Sequence, residues 1–160
     1  GENVMSADNQ QERLDVKWIV GFIDGEGCFH VALNKLQKMI LGWQVLPEFR
    51  IVQHQRDEQI LLRMQKFFGF GDVCVNHGDR KELRVRGLEN LNNLIKILKK
   101  YPLQTSKKRN FKIFAEVLQM MNNKQHLNRK GLEKIANLAS KMNRKVVRHL
   151  ESSEAIRQKH

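Results

Sequence analysis

The chain has 160 residues, with 29 Lys and Arg against 17 Asp and Glu, a net charge of +12 and a pI near 10.0. That length supports one good core and argues against two independent domains. A hydrophobic content of 41% excludes a merely disordered basic tail, so a folded domain with a polyanionic partner is expected, nucleic acid foremost because Lys and Arg neutralise phosphate. The two cysteines, Cys28 and Cys74, support neither a disulfide framework nor a CxxC metal site, which fits a reducing, intracellular compartment. Six histidines are scattered without HxxxH spacing, so none is assigned to a metal. No 18-residue apolar run occurs, and the N-terminal segment carries four acids and no apolar stretch, unlike a signal or transit peptide. A soluble protein with no membrane partner is expected.

Residues 8–24 predict a helix capped by Asp8, with Leu14, Trp18 and Ile23 on an apolar side and Gly25 and Gly27 ending it. CFHVALNKLQ alternates Phe29, Val31 and Leu33 against His30, Ala32 and Asn34, the pattern of a half-buried strand. QVLPEFRIVQHQ (44–55) alternates again, Pro47 marking an edge or bulge, and DEQILLRMQKFFG (57–69) reads as a helix capped by Asp57. FGDVCVNHGDRKELRVRG gives a second hairpin around an HGDR turn. In it Val73, Val75, Leu83 and Val85 are expected inward, and Asp72, Cys74, Asn76, Glu82, Arg84 and Arg86 outward. Helices follow at 88–101, ended by Pro102, at 108–123, and across GLEKIANLASKMN. The basic tail, about 144–160, reads as a marginal helix, a phosphate-contacting arm or disorder, with disorder favoured near its end. Two hairpins with helices behind them make the fold α+β, a single domain over 1–160 with its core at about 10–140.

The stretch WIVGFIDGEGCF poses the chemical question. A buried carboxylate without a partner is costly, so Asp24 and Glu26 need a cation, hydrogen bonds or an open edge. Glycine caps account for Gly25 and Gly27 but leave Glu26 unexplained. If Gly21 lets a second helix approach closely, two helix ends bring two carboxylates to one polar gap. Paired hard oxygens suit Mg²⁺ with a phosphate substrate.

IVGFIDGEG (19–27) resembles the nine-residue motif of the LAGLIDADG homing endonucleases, in one copy. The element order across about 10–140 follows that family's αββαββα unit, with a saddle-shaped antiparallel sheet and here extra C-terminal helices, and YPLQTSKKRNF resembles its downstream basic segment. The resemblance implies a homodimer with Trp18, Gly21, Phe22 and Asp24 at the seam of the motif helices. Such a dimer makes a Mg²⁺-dependent double-strand break with short 3′ overhangs in a long pseudo-palindromic DNA target, promoting intron mobility. Mn²⁺ is the expected substitute metal. Position by position, Glu26 matches the metal-binding acid, one methylene longer than the commoner Asp, and Gly25 adds its backbone carbonyl. Asp24 matches the first acid, with structural support as its role. Gln53 matches a water-positioning Gln, although strict alternation from Phe49 and Ile51 turns it inward. Where some relatives carry the active-site lysine this chain has Thr105 or Ser106, so Lys107 is assigned, with Lys108 as the alternative.

A two-stranded ribbon fits the major groove, where Arg reads guanine and Asn or Gln reads adenine. Outward parity nominates Asn34, Gln44, Arg50, Asn76, Arg84 and Arg86 for bases, and Lys35, Lys38 and Arg80 for phosphates. The competing reading is a non-cleaving DNA-binding regulator or an intron RNA splicing maturase on the same scaffold. Kinship alone implies an organellar or microbial origin. FGFGD is too short and wrongly spaced for a dinucleotide loop.

Overall fold

Asp15 starts the first helix, its carboxylate accepting from the amides of Lys17 at 2.7 Å and Trp18 at 3.4 Å. The structure, a computed structural model, describes residues 13–142, and the expected cap Asp8 and the basic tail lie outside them. Helix α1 spans Val16–Glu26. It runs through Gly25, where the sequence predicts a stop, and ends at Gly27. A Cβ on Gly27 would lie 2.7 Å from the Ile23 carbonyl and 2.8 Å from the Phe49 ring, so only glycine lets the helix enter the sheet there.

Strands β1 (Gly27–Lys35) and β2 (Trp43–His54) form the first hairpin, and β3 (Asp72–His77) and β4 (Arg80–Val85) the second. The four-stranded antiparallel sheet has the order β1-β2-β4-β3. Pro47 pairs with Val31 of β1 and lies beyond the reach of β4, whose last partner is Phe49. The missing N–H therefore falls on a locally open strand, with no bulge in the register. Helix α2 (Glu58–Phe68) follows a 3-10 turn at Gln55–Asp57. Asp57 occupies the N-cap position, but its side chain makes no cap bond and instead lies 3.8 Å from Arg56. Gly69 closes the helix in the left-handed region, φ 75°, a conformation glycine adopts without strain. Helices α3 (Leu88–Lys100), α4 (Lys107–Asn122) and α5 (Arg129–Met142) follow, and the fold is α+β, with five α-helices among the described residues.

The core lies between one sheet face and the helices. Phe29 sits at its centre, its ring 5.1–5.6 Å from those of Phe49, Phe111 and Phe114, so β1, β2 and α4 share one aromatic cluster. Phe49, Ile51, Leu83 and Val85 are fully buried beside it. Val75, expected inward, is 60% exposed. It belongs to the short edge strand β3, whose pairing shifts between Val75 and His77, and alternation there does not translate into burial.

Candidate functional site

The C-terminal turn of α1 brings the two motif acids out of the helix in different directions. Asp24 turns to the segment before α4. It accepts hydrogen bonds from the amides of Gln104, at 2.7 Å, and Thr105, at 3.1 Å, and from the Thr105 hydroxyl. Partial desolvation pushes its carboxyl up, but the Thr105 hydroxyl, the two amides and the charge of Lys107 outweigh this, so the carboxyl titrates below its ordinary 3.8. Glu26 is exposed, and among the described residues it makes no hydrogen bond or ion pair.

Lys107 reaches the same helix end. Its ammonium donates to the Ile23 carbonyl at 3.1 Å, an acceptor also used by the Gly27 amide, and so satisfies the negative end of α1. Burial lowers the Lys107 pKa below its ordinary value, while Asp24, Cys28 and Glu26 partly oppose the shift. Lys108 is exposed. Thr105 is engaged by Asp24. Lys107 is therefore the lysine that meets the motif.

Gln53 pairs with Lys81 in an unbroken β2–β4 register, two residues beyond the Gly27↔Ile51 pair. That places it level with the last turn of α1, half-buried and on the same parity as Ile51, and no hydrogen bond joins it to Glu26. Gly21 and Gly25 are exposed, and a Cβ on either would meet nothing within 4 Å. Trp18, 47% exposed, stacks on the half-buried Phe22 at 5.1 Å beside them. Exposed glycines inside a helix cost about 1 kcal/mol each relative to alanine, and nothing among the described residues requires them.

The outward face of the sheet carries the other expected residues. Asn34 pairs with Gln44 near the hairpin end, beyond which Lys35 and Lys38 are exposed. Arg80 is exposed opposite His54. Arg50 and Arg84 are cross-strand neighbours, and Asn76 donates to Glu82 at 3.2 Å. The face also holds two carboxylates, Glu48 and Glu82, each only 6% exposed. Glu48 accepts a hydrogen bond from Arg86 Nε at 2.7 Å and forms an ion pair with Arg50, its Nε 3.1 Å away, and Glu82 lies 3.8–3.9 Å from Arg84 and Arg50. Burial lowers the pKa of His30, opposite Glu48; the carboxylate opposes the shift and Arg50 adds to it, so the ring is neutral at pH 7. Sequence reasoning placed Glu82 outward but missed Glu48. The signal was there, because Glu48 shares the parity of Arg50 in PEFRIV.

Chemically, an exposed carboxylate and the Gly25 carbonyl, which in the last turn has no helical donor, fit a hard divalent cation. Among the described residues no three His, Cys, Asp or Glu side chains cluster.

A family model described as LAGLIDADG endonuclease matches residues 19–118. The probable intron-encoded endonuclease 3 of Neurospora crassa is 34% identical over 125 residues, 77% of this chain and 24% of that protein. The DNA endonuclease I-CvuI of Chlorella vulgaris is 25% identical over 119 residues, 74% of this chain and 73% of that protein. Among solved structures, the homing endonuclease I-TnaI superposes with a TM-score of 0.83 at 47% identity, covering 87% of this chain and 97% of that one. The meganuclease I-CpaMI, bound to uncleaved DNA, gives 0.78 at 29% identity, covering 81% and 44%. The chain spans about a quarter of the length of the Neurospora protein.

Proposed function

The chain belongs to the LAGLIDADG endonuclease family, and from that premise we propose that it is a site-specific endonuclease that cuts duplex DNA as a homodimer. The observation that carries the reading is Glu26, a carboxylate without a direct partner among the described residues at the end of a helix whose exposed strip holds Gly21 and Gly25. A second copy packed on that strip, with Trp18 and Phe22 at its flanks and Asp24 just inside it, places a second Glu26 across a two-fold axis. The exposed glycines then have a use, because helix axes can approach closely only where side chains are small.

Mg²⁺, when bound there, supplies an acidified water and neutralises charge on the scissile phosphate. The chain's own residues do the rest. Glu26 and the Gly25 carbonyl provide hard oxygens. Lys107, fixed on the Ile23 carbonyl, holds a positive charge beside them, where it counters charge developing at phosphate. Asp24 keeps the segment bearing Lys107 against the motif helix. Gln53, level with the last turn, orients water through its amide. The sheet face is the DNA-reading surface, with Asn34, Gln44, Arg50, Asn76, Arg84 and Arg86 toward bases and Lys35, Lys38 and Arg80 toward phosphates. Kinship with intron-encoded proteins supports a role in intron mobility.

The test is cleavage of a randomised duplex library with sequencing of the cut ends, in Mg²⁺, in Ca²⁺ and with Glu26→Gln. Breaks at one pseudo-palindrome with short 3′ overhangs, dependent on Mg²⁺ and lost in the variant, are expected. Tight binding with no break under any metal would replace this reading with a DNA-binding protein.

A further inference from the structure

Glu48 divides its two oxygens between two arginines. Oε1 forms an ion pair with Arg50, 3.1 Å from its Nε, and Oε2 accepts a hydrogen bond from Arg86 Nε at 2.7 Å. The side chains of Arg50 and Arg86 are 34% and 44% exposed, whereas that of Glu48 is 7% exposed and lies too deep to contact a base itself. A guanidinium is a rigid fork with five donors, and a carboxylate on its Nε edge leaves both terminal nitrogens for another acceptor pair. Those terminal nitrogens match O6 and N7 of guanine in the major groove. Glu82 also lies near Arg50, 3.9 Å from its Nη1, a distance beyond hydrogen bonding.

We infer that Glu48 is a positioning residue that fixes Arg50 and Arg86 as a pair of guanine readers, and so sets guanine preference at two places in each half-site. The inference rests on the DNA-cutting reading above. A long arginine side chain loses considerable rotamer freedom when it docks on a base, and one already held by Glu48 has lost much of it beforehand. Free Arg50 and Arg86 would contact phosphates and bases alike; clamped ones present the same edge every time. Arg84 on the same face lacks this arrangement, its Nε being buried without a hydrogen-bond partner.

The sheet also sets the spacing. Arg50 stands on β2, and Arg86 follows Val85, the partner of Phe49, so it lies beside Glu48. The two arginines are thus offset by two residues along the strands, about 7 Å, which is about two base-pair steps.

The experiment is a binding and cleavage selection on the randomised duplex library, comparing the wild type with Glu48→Gln, Glu48→Asp, Arg50→Lys and Arg86→Lys. The wild type is expected to favour guanine at two positions about two base pairs apart in each half-site. Each lysine variant erases one of these preferences, because an ammonium keeps the charge but cannot fork. Glu48→Gln weakens both by about tenfold to a hundredfold and leaves the preferences elsewhere in the site unchanged. Glu48→Asp retains the charge but retracts it, weakening both to a smaller degree, and it decides the matter if the Gln variant does not fold. A merely structural Glu48 would relax every position equally, and that result overturns the inference. So does a Glu48→Gln profile that superimposes on the wild type, or a wild-type profile without the two guanines. A wild type that selects no site at all overturns the endonuclease reading instead.

Discussion

The outward face of the sheet and the end of α1 both carry carboxylates in a strongly basic chain, and they treat them oppositely. Glu48 and Glu82 are nearly buried and bound on several sides by Arg50, Arg84, Arg86, Asn76 and Cys74. Glu26 is exposed and has no direct partner among the described residues. A carboxylate saturated by its neighbours can hold geometry but has nothing left for a ligand, whereas an open one can take a cation. The same contrast appears in the distribution of charge. Residues 88–142 contain twelve Lys or Arg and three Glu, while the arginines of the sheet face are largely compensated by the acids beside them. If the chain cuts DNA as proposed, long-range attraction for the polyanion would come mainly from the helices and local reading from the sheet.

The sharpest break is at Glu26. Glu26→Gln should lower single-turnover cleavage by at least about a thousandfold while leaving thermal stability and DNA binding in Ca²⁺ intact, since it removes an open charge and no internal contact. A variant that lost stability instead would make Glu26 a saturated carboxylate like Glu48. Lys107→Met should lower cleavage by roughly ten- to a hundredfold with DNA affinity retained, because its ammonium sits beside the site and is anchored on Ile23. Lys108→Met should have little effect on the rate, and a reversed order would transfer the role.

Asp24→Asn should act on stability, by about 1–2 kcal/mol in urea unfolding, after allowance for solvent screening of this partly exposed group. Its folded pKa is depressed, so the contribution is present above the ordinary value of 3.8 and is lost as pH falls through the folded value. The wild type and the variant should therefore converge in acid. At the small end, Val75→Thr should change stability by no more than about 0.5 kcal/mol, as its exposure on the edge strand implies.

Much of this was legible from local pattern. The alternation of Phe29, Val31 and Leu33 gave the buried side of β1, and Leu83 and Val85 that of β4. Val75 failed the same rule because burial needs a layer above it, and edge position is a property of sheet order that no single strand encodes. The first helix was placed correctly in kind but not in extent, since its cap is Asp15 and its stop is the steric demand at Gly27 rather than flexibility at Gly25. In the site, the motif pointed to Glu26, and the resemblance of YPLQTSKKRNF pointed to the segment bearing Lys107. That Lys107 binds Ile23, and that Asp24 is tied to Thr105, are contacts between distant parts of the chain with no local signature. Glu48 was hidden for a related reason: its partner Arg86 lies 38 residues away.

The bonds from Asp24 to Gln104 and Thr105 and from Lys107 to Ile23 span 80, 81 and 84 residues. Closing so long a loop is unfavourable until both hairpins and α3 have formed between its ends. On a ribosome, the motif helix emerges long before the segment that clasps it. The clasp around the motif helix is thus completed only after residue 104 has been made, and a nascent chain ending ahead of it carries the motif without the contacts that fix Asp24 and Lys107.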